Sequence, residues 1–249
     1  MRTRIAPLGA LVLLALQAQA GSGERVGLRY EYSALPSGGS AHLLTVDLRD
    51  VEMRLLDARD LGATALTARE FQARTGATAV VNGPFFDLDG SPMGLLVVDG
   101  EKRESLRPVD WGVFALDAAG PSIVHTRDWA QREGVKQAFQ VGPRLVAEGE
   151  PLALKKQSAR RTTLCVLDGR RLQVAVVDQQ VEANRLASFL SAQGCIDALA
   201  LDGGGSSQLY LERAGVEVDV AGDDPIPVAL GFFARGTAEI RGRRGCGCS

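Results

Sequence analysis

Apolar and polar side chains alternate over residues 42–48, where Leu44, Val46 and Leu48 share one face, and again over 51–55, where Val51, Met53 and Leu55 do. A period of two predicts β-strands with one buried face. Shorter apolar runs extend the prediction to 95–98, 112–116, 122–125, 163–167, 172–177, 208–211 and 228–233. Many are followed by tight-turn pairs, at Asp99-Gly100, Ala119-Gly120 and Asp168-Gly169, so antiparallel hairpins are expected.

The spacing becomes helical in two places. Thr67-Ala68-Arg69-Glu70 fits a capping box ahead of Phe71, with a stop near Gly76. Residues 182–193 put Leu186, Phe189 and Leu190 on one face and stop at Gly194. Each helix leads into a short apolar strand that ends in a polar residue and a glycine, 77–81 before Asn82-Gly83 and 196–201 before Asp202-Gly203. Whether an internal repeat or two similar units, the arrangement puts Asn82 and Asp202 at the carboxyl ends of buried strands, where they can converge on one cleft. The expected fold class is α+β, a single domain of mixed, largely antiparallel sheets flanked by a few helices.

Composition narrows the class of molecule. The chain has 249 residues, of which 45% are hydrophobic and 23% charged, the balance of a soluble globular protein. Aromatics are only 5%, so Ala, Val and Leu must fill most of the core. A net charge of -2 supplies no broad basic field, which argues against nucleic acid as a partner. Arg2 and Arg4 precede an apolar stretch over 5–16 and then Ala18-Gln19-Ala20, the pattern of a signal peptide over 1–20. The stretch is shorter than the roughly 20 residues of a membrane span, and no later segment is long enough, so an exported protein is expected, periplasmic or extracellular after cleavage near Ala20. Residues 21–40 read as a linker and first strand, 41–235 as the domain, and 236–249 as an Arg/Gly/Cys tail expected to be disordered. Cys165 and Cys195 lie in apolar stretches; export permits a bridge between them, but two buried free thiols are the commoner arrangement. Cys246 and Cys248 belong to the tail.

The candidate chemistry centres on Asp202-Gly203-Gly204-Gly205-Ser206-Ser207. Glycines let a ligand approach the main chain, and the amides with the Ser206 and Ser207 hydroxyls can face an anion or a sugar. Asp202 follows a fully apolar run, where an acid is costly without a partner, so it should be hydrogen-bonded, metal-bound or catalytic. Asp87-Leu88-Asp89-Gly90 begins like a calcium loop but lacks the later ligands, which favours a turn over a structural cation. His42 and His125 show no metal-ligand spacing, no serine sits in a G-x-S-x-G elbow, and no metal ligand or cofactor is assigned, a structural divalent cation aside.

An ordered series of motifs adds a resemblance. Val81-Asn82-Gly83-Pro84-Phe85-Phe86, Pro92-Met93-Gly94-Leu95, Val141-Gly142-Pro143-Arg144-Leu145, Arg161-Thr162 before Asp168-Gly169, and 198–207 with its Asp202-Gly203-Gly204-Gly205-Ser206-Ser207 resemble the phosphodiester glycosidase family over roughly 41–233. Pro84 stands where a second glycine is common and Gln208-Leu209 where Thr-Met is frequent, departures that bear on substrate choice. The resemblance implies cleavage between a sugar anomeric carbon and a phosphate, with a sugar-phosphate diester or polysaccharide as substrate. A phosphate leaving group needs little protonation, so one carboxylate with cationic and amide donors suffices. On this basis Asp202 is the base or nucleophile, Arg161 the bidentate phosphate clamp with Arg160 as a decoy beside it, and Asn82 the group that orients a sugar hydroxyl or the phosphate. Gly203, Gly204, Gly205, Ser206, Ser207, Phe86 and Gly142 are assigned to substrate binding, and Asp178 as a second carboxylate. Two readings of other classes stay open: a non-catalytic polysaccharide-binding protein, and a metal-dependent phosphoesterase. Oligomeric state is not set by the sequence.

Overall fold

The computed structural model describes residues 27–36, 38–130 and 133–235. The signal peptide expected over 1–20 and the tail over 236–249 lie outside the described residues.

Among the described residues, seventeen strands, numbered in chain order, form three sheets. A seven-stranded sheet runs β1 (Leu28–Ala34), β2 (Ser40–Asp47), β13 (Arg171–Glu182), β12 (Ser158–Val166), β14 (Asp197–Ala200), β10 (Arg144–Ala147) and β11 (Glu150–Pro151). A second sheet runs β16 (Val216–Val220), β15 (Leu209–Arg213), β4 (Ala79–Asn82), β17 (Val228–Ala234) and β3 (Val51–Asp57). The third runs β6 (Glu101–Glu104), β5 (Leu96–Val98), β9 (Gln137–Val141), β7 (Gly112–Asp117) and β8 (Gly120–His125). All pairings between these described strands are antiparallel, so the mixed sheets expected from sequence give way to antiparallel ones. The two helix-to-strand units deliver β4 between β15 and β17, and β14 between β12 and β10. The molecule is mostly β. Positive φ at Asp99 (49°) and Gly100 (87°) suits the tight β5–β6 hairpin, whose turn matches the strand twist.

One apolar core joins all three sheets. Leu44, Leu164 and Val174 come from the first, Met53, Val81 and Leu230 from the second, and Phe114 and Phe139 from the third, with the two phenyl centroids 5.3 Å apart. Helix α1 (Ala68–Thr75) has the expected capping box between Thr67 and Glu70, ends at a left-handed Gly76 and buries Phe71 beneath the second sheet. Helix α2 (Ala183–Ala192) lays Leu186, Ala187 and Leu190 on the outer face of the first sheet, beside Cys165, Cys195 and Ala198. Cys165 and Cys195 are bridged, with Cα atoms 5.8 Å apart, which corrects the expectation of free thiols. Cys165 pairs in register with Ala198, so the chain leaving α2 returns directly over β12 and brings Cys195 within reach. Closing a loop of 30 residues stabilises the fold by roughly 3–4 kcal/mol in the chain-entropy account.

Candidate active site

Two strand ends from different sheets are stitched together. Past β14, Leu201 N donates to Thr162 O at 2.9 Å and Asp202 N to Gly83 O at 3.2 Å. Asn82, at the end of β4, is fully buried; its side-chain amide donates to Asp202 O at 2.7 Å. Its side-chain oxygen accepts from Thr162 Oγ1 at 2.6 Å and from Gln208 N at 3.2 Å. Asn82 and Asp202 are brought together, but Asn82 meets protein groups through both ends of its buried side chain, so it holds the Asp202 main chain and has no end left to orient a sugar hydroxyl or phosphate.

Asp202 is partly buried, and one carboxylate oxygen accepts from Gly203 N at 2.9 Å. Burial pushes its pKa above the ordinary aspartate value and the nearby charge of Asp224 adds to the rise, while hydrogen bonds from Ser206 and Gly203 oppose it. Residues 204–206 form a single 3-10 turn. Gly204 has φ 60°, where a side chain is disfavoured. A Cβ at Gly203 would come within 2.9 Å of Arg160 O, and one at Gly205 would overlap the Asp224 carboxylate. The glycine run is thus imposed by packing as well as by the turn.

Arg160 braces this loop. Its Nη2 donates to Ser207 O at 2.9 Å and Ala221 O at 2.7 Å, and its Nη1 pairs with Asp223 at 3.1 Å. Arg161, the next residue on β12, diverges from it: Nε donates to Val181 O at 3.2 Å and Nη2 to Gln157 O at 2.7 Å, both within its own hairpin. Burial pulls the Arg161 pKa below the usual arginine value. Gln208 completes the brace, accepting from Ala68 N at the start of α1 and donating to Ser206 O at 3.2 Å and Asp224 O at 3.0 Å. Ser207 Oγ and Arg160 Nε are buried beside the loop without a partner among the described residues.

The motif series now has independent support. A family model described as phosphodiester glycosidase matches residues 75–233. The chain belongs to the phosphodiester glycosidase family. Its members are hydrolases acting on glycosyl–phosphate bonds. Among solved structures, the catalytic domain of zebrafish N-acetylglucosamine-1-phosphodiester alpha-N-acetylglucosaminidase, auto-inhibited by its pro-peptide, superposes with TM-score 0.66 at 19% identity over 86% of each chain. A hypothetical protein from Synechocystis superposes with TM-score 0.58 at 13% identity, covering 84% of this chain and 62% of that one. No curated protein sequence matches the chain.

The phosphodiester glycosidase domain contains the whole stitched site, and the remaining candidates fall around it at different distances. Gly142 lies beneath the Trp111 ring, where a Cβ would sit 2.7 Å from the indole, and Pro143 O accepts from Ala200 N at 2.9 Å, two residues before Asp202. Trp111 in turn meets Phe85 edge-on at 5.1 Å. Phe86 packs into the α1 cluster instead. Asp178 is exposed on β13, where its charge acts on His42, and Asp224 is the carboxylate whose charge reaches Asp202. The 87–90 segment is a turn: Gly90 N donates to Asp87 O at 2.8 Å and Ser91 N to Asp89 at 2.9 Å. Among the described residues no three His, Cys, Asp or Glu side chains converge to hold a metal ion, and no helix is long and apolar enough to cross a membrane.

Sequence reasoning set Arg160 aside as a decoy and did not single out Asp224 or the Phe85–Trp111 contact, which lie around the Asp202 loop and Gly142. The signals available were the Asp223-Asp224-Pro225 turn and the scarcity of aromatics, only two of them Trp.

Proposed function

We propose that this protein is an exported glycosidase that hydrolyses a sugar-1-phosphodiester to free sugar and a phosphomonoester, in the processing of polysaccharide or cell-envelope glycans. The observation that carries this reading is Asp202, a half-buried acid with a raised pKa, set on a turn of main-chain donors in a phosphodiester glycosidase domain. Water adds to the anomeric carbon, the bond from that carbon to the bridging oxygen breaks, and the oxygen leaves with the phosphate. Because the phosphomonoester is a stable anion, the leaving group needs little proton donation. Asp202 in its ionised form acts at the sugar carbon as base or nucleophile. The Gly204 and Gly205 amides face the phosphate or sugar, and Arg160, bonded to Ser207 O, Ala221 O and Asp223, holds the loop that presents them instead of acting as the phosphate clamp that the resemblance gave to Arg161. Asn82 sets the main chain from which Asp202 projects.

The name of the zebrafish relative, an N-acetylglucosamine-1-phosphodiester hydrolase, supports a sugar-1-phosphodiester as the substrate class. Export is supported by the N-terminal pattern and by the buried Cys165–Cys195 bridge, since disulfides persist in oxidising compartments. The test is product identity. Incubation with sugar-1-phosphate diesters should release reducing sugar and leave phosphomonoester on the aglycone. Sugar phosphate as product would place the cut on the other side of the phosphate and overturn the assignment.

A further inference from the structure

The segment that carries Trp111 onto Gly142 also walls a cavity of about 450 Å³, which the mechanism above does not use. Leu106, Pro108 and Val109 supply apolar surface, and Asp110, His125 and Arg127 supply polar groups. This is the usual make-up of a small-molecule site, an apolar bed with a few placed polar atoms.

Those polar atoms are held in advance of any ligand. His125 is buried, with its side chain only 7% exposed, and its Nε2 lies 2.7 Å from the carboxylate of Asp110, which is 95% exposed. His125 Nδ1 accepts from Arg127 N at 3.0 Å, so Nε2 carries the proton and donates to Asp110. The outer Asp110 oxygen stays free to accept from a ligand hydroxyl. The walls are fixed by Gln140, a buried residue of β9. Its side-chain oxygen accepts from Arg107 N at 2.9 Å, and its amide donates to Arg107 O at 2.8 Å and Thr126 Oγ1 at 3.1 Å. Thr126 N donates to Trp111 O at 3.0 Å, closing the frame. A frame ordered before binding lowers the entropy cost of holding a ligand.

Size and charge select the occupant. Asp110 and Arg127 cancel, so the cavity offers an acceptor and a donor without net charge, suited to hydroxyls of a neutral ring whose C–H face rests on Leu106, Pro108 and Val109. Its neighbour Trp111 covers Gly142, and Pro143 O accepts from Ala200 N, two residues before Asp202, which links the cavity wall to the strand that carries the loop. We propose that this cavity is a subsite for a neutral sugar ring of the substrate, away from the bond that is cut. The proposal rests on the glycosyl-phosphodiester reading for the identity of its ligand, but its binding is separable from turnover.

The experiment titrates three neutral trisaccharides, maltotriose, mannotriose and triacetylchitotriose, into 15N-labelled wild-type protein. At least one should shift the Trp111 indole and the Asp110 and Arg127 amides at millimolar concentration. Asp110→Asn and Arg127→Ala should each weaken that binding about tenfold or more, as loss of a charged hydrogen-bond partner does. Asp202→Asn should bind as wild type does. Both altered side chains are on the cavity rim, and well-dispersed amide spectra of the variants establish that they fold. No shift at these positions with any of the three sugars, or shifts of equal strength in both variants, would overturn the subsite. If the shifts appear as expected while wild type releases no reducing sugar from any diester, the subsite stands and the glycosidase reading falls.

Discussion

The side-chain amide of Asn82 donates to the main-chain oxygen of Asp202 at 2.7 Å, joining the ends of two strands that are 120 residues apart in sequence. The same side chain receives Thr162 Oγ1 and Gln208 N, so three elements meet on one buried residue. In Asn82→Ala these groups lose their partner inside the protein, at about 1–3 kcal/mol for each one left unsatisfied. The expected outcome is a loss of about 2–4 kcal/mol in urea unfolding with an unchanged m value, together with a fall in kcat/KM of at least tenfold as Asp202 loses its anchor. Full activity in a destabilised Asn82→Ala protein would show that Asp202 does not depend on this tie.

Asp202 makes a pH prediction whose sign is fixed by its surroundings. Burial raises its folded pKa above the unfolded value, the Asp224 charge adds to this, and the Ser206 and Gly203 hydrogen bonds oppose it. The native state then holds this proton more tightly than the unfolded chain. Its contribution to stability is fully present below the unfolded pKa and is lost as pH rises through the folded one. Asp202→Asn removes that loss, so at neutral pH the variant should melt no lower than wild type while turnover disappears. Activity carried by ionised Asp202 gives kcat/KM an acid limb above the ordinary aspartate range. Ser206→Ala should move that limb upward and Asp224→Asn downward. Shifts in one common direction would detach the limb from Asp202.

The legible parts of the fold are those written in local chemistry. The Thr67 to Glu70 capping box, the Asp99-Gly100 hairpin and the apolar faces of α2 and β3 are encoded within a few residues of one another. Strand β9 was not legible, because Gln137 and Gln140 interrupt its apolar pattern. Both are buried, and their partners, Leu55 N and Asp99 for the first and Arg107 and Thr126 for the second, lie far away in sequence. The site divides in the same way. Asp202 and its glycines stand out because a lone acid after an apolar strand demands a reason. Choosing between Arg160 and Arg161 requires the register irregularity between Ala159 and Arg161, which a period-two pattern does not reveal. Asp224 reaches Asp202 only because the 221–224 loop folds back on Gly205, through Asp223 N and Asp224 N to Gly205 O.

The two arginines can be separated by kinetics. Arg160→Ala frees the carbonyls of Ser207 and Ala221 and unpairs Asp223, so the glycine loop loses its brace. A decrease in kcat/KM of about tenfold to a hundredfold is expected, with both kcat and KM affected. Arg161→Ala removes two bonds to carbonyls of its own hairpin and should cost about 1–2 kcal/mol of stability, with kcat/KM within about threefold of wild type. The reverse pattern, a stable Arg161→Ala protein without activity, would return the phosphate clamp to Arg161.

Gly83 offers a test of how far the site depends on backbone approach. Its N donates to Val228 O at 3.0 Å and its O accepts from Asp202 N at 3.2 Å, so the residue is bonded on both sides. A Cβ there would lie 2.5 Å from Val228 O and 3.0 Å from Val228 C. Both are main-chain atoms at the start of β17, which pairs with β4 through Ala229 and Asn82, so relief requires the two strands to part. Gly83→Ala should cost about 1–3 kcal/mol by overpacking and displace the acceptor that holds Asp202. Gly62→Ala, outside the site, is the control: φ is 72° but a Cβ would meet nothing, so the expected cost is backbone strain of about 1–2 kcal/mol. Matched for stability, the two variants should differ in kcat/KM, with Gly83→Ala the lower. Equal activities would mean that the Gly83 to Asp202 bond holds the fold and not the catalytic geometry.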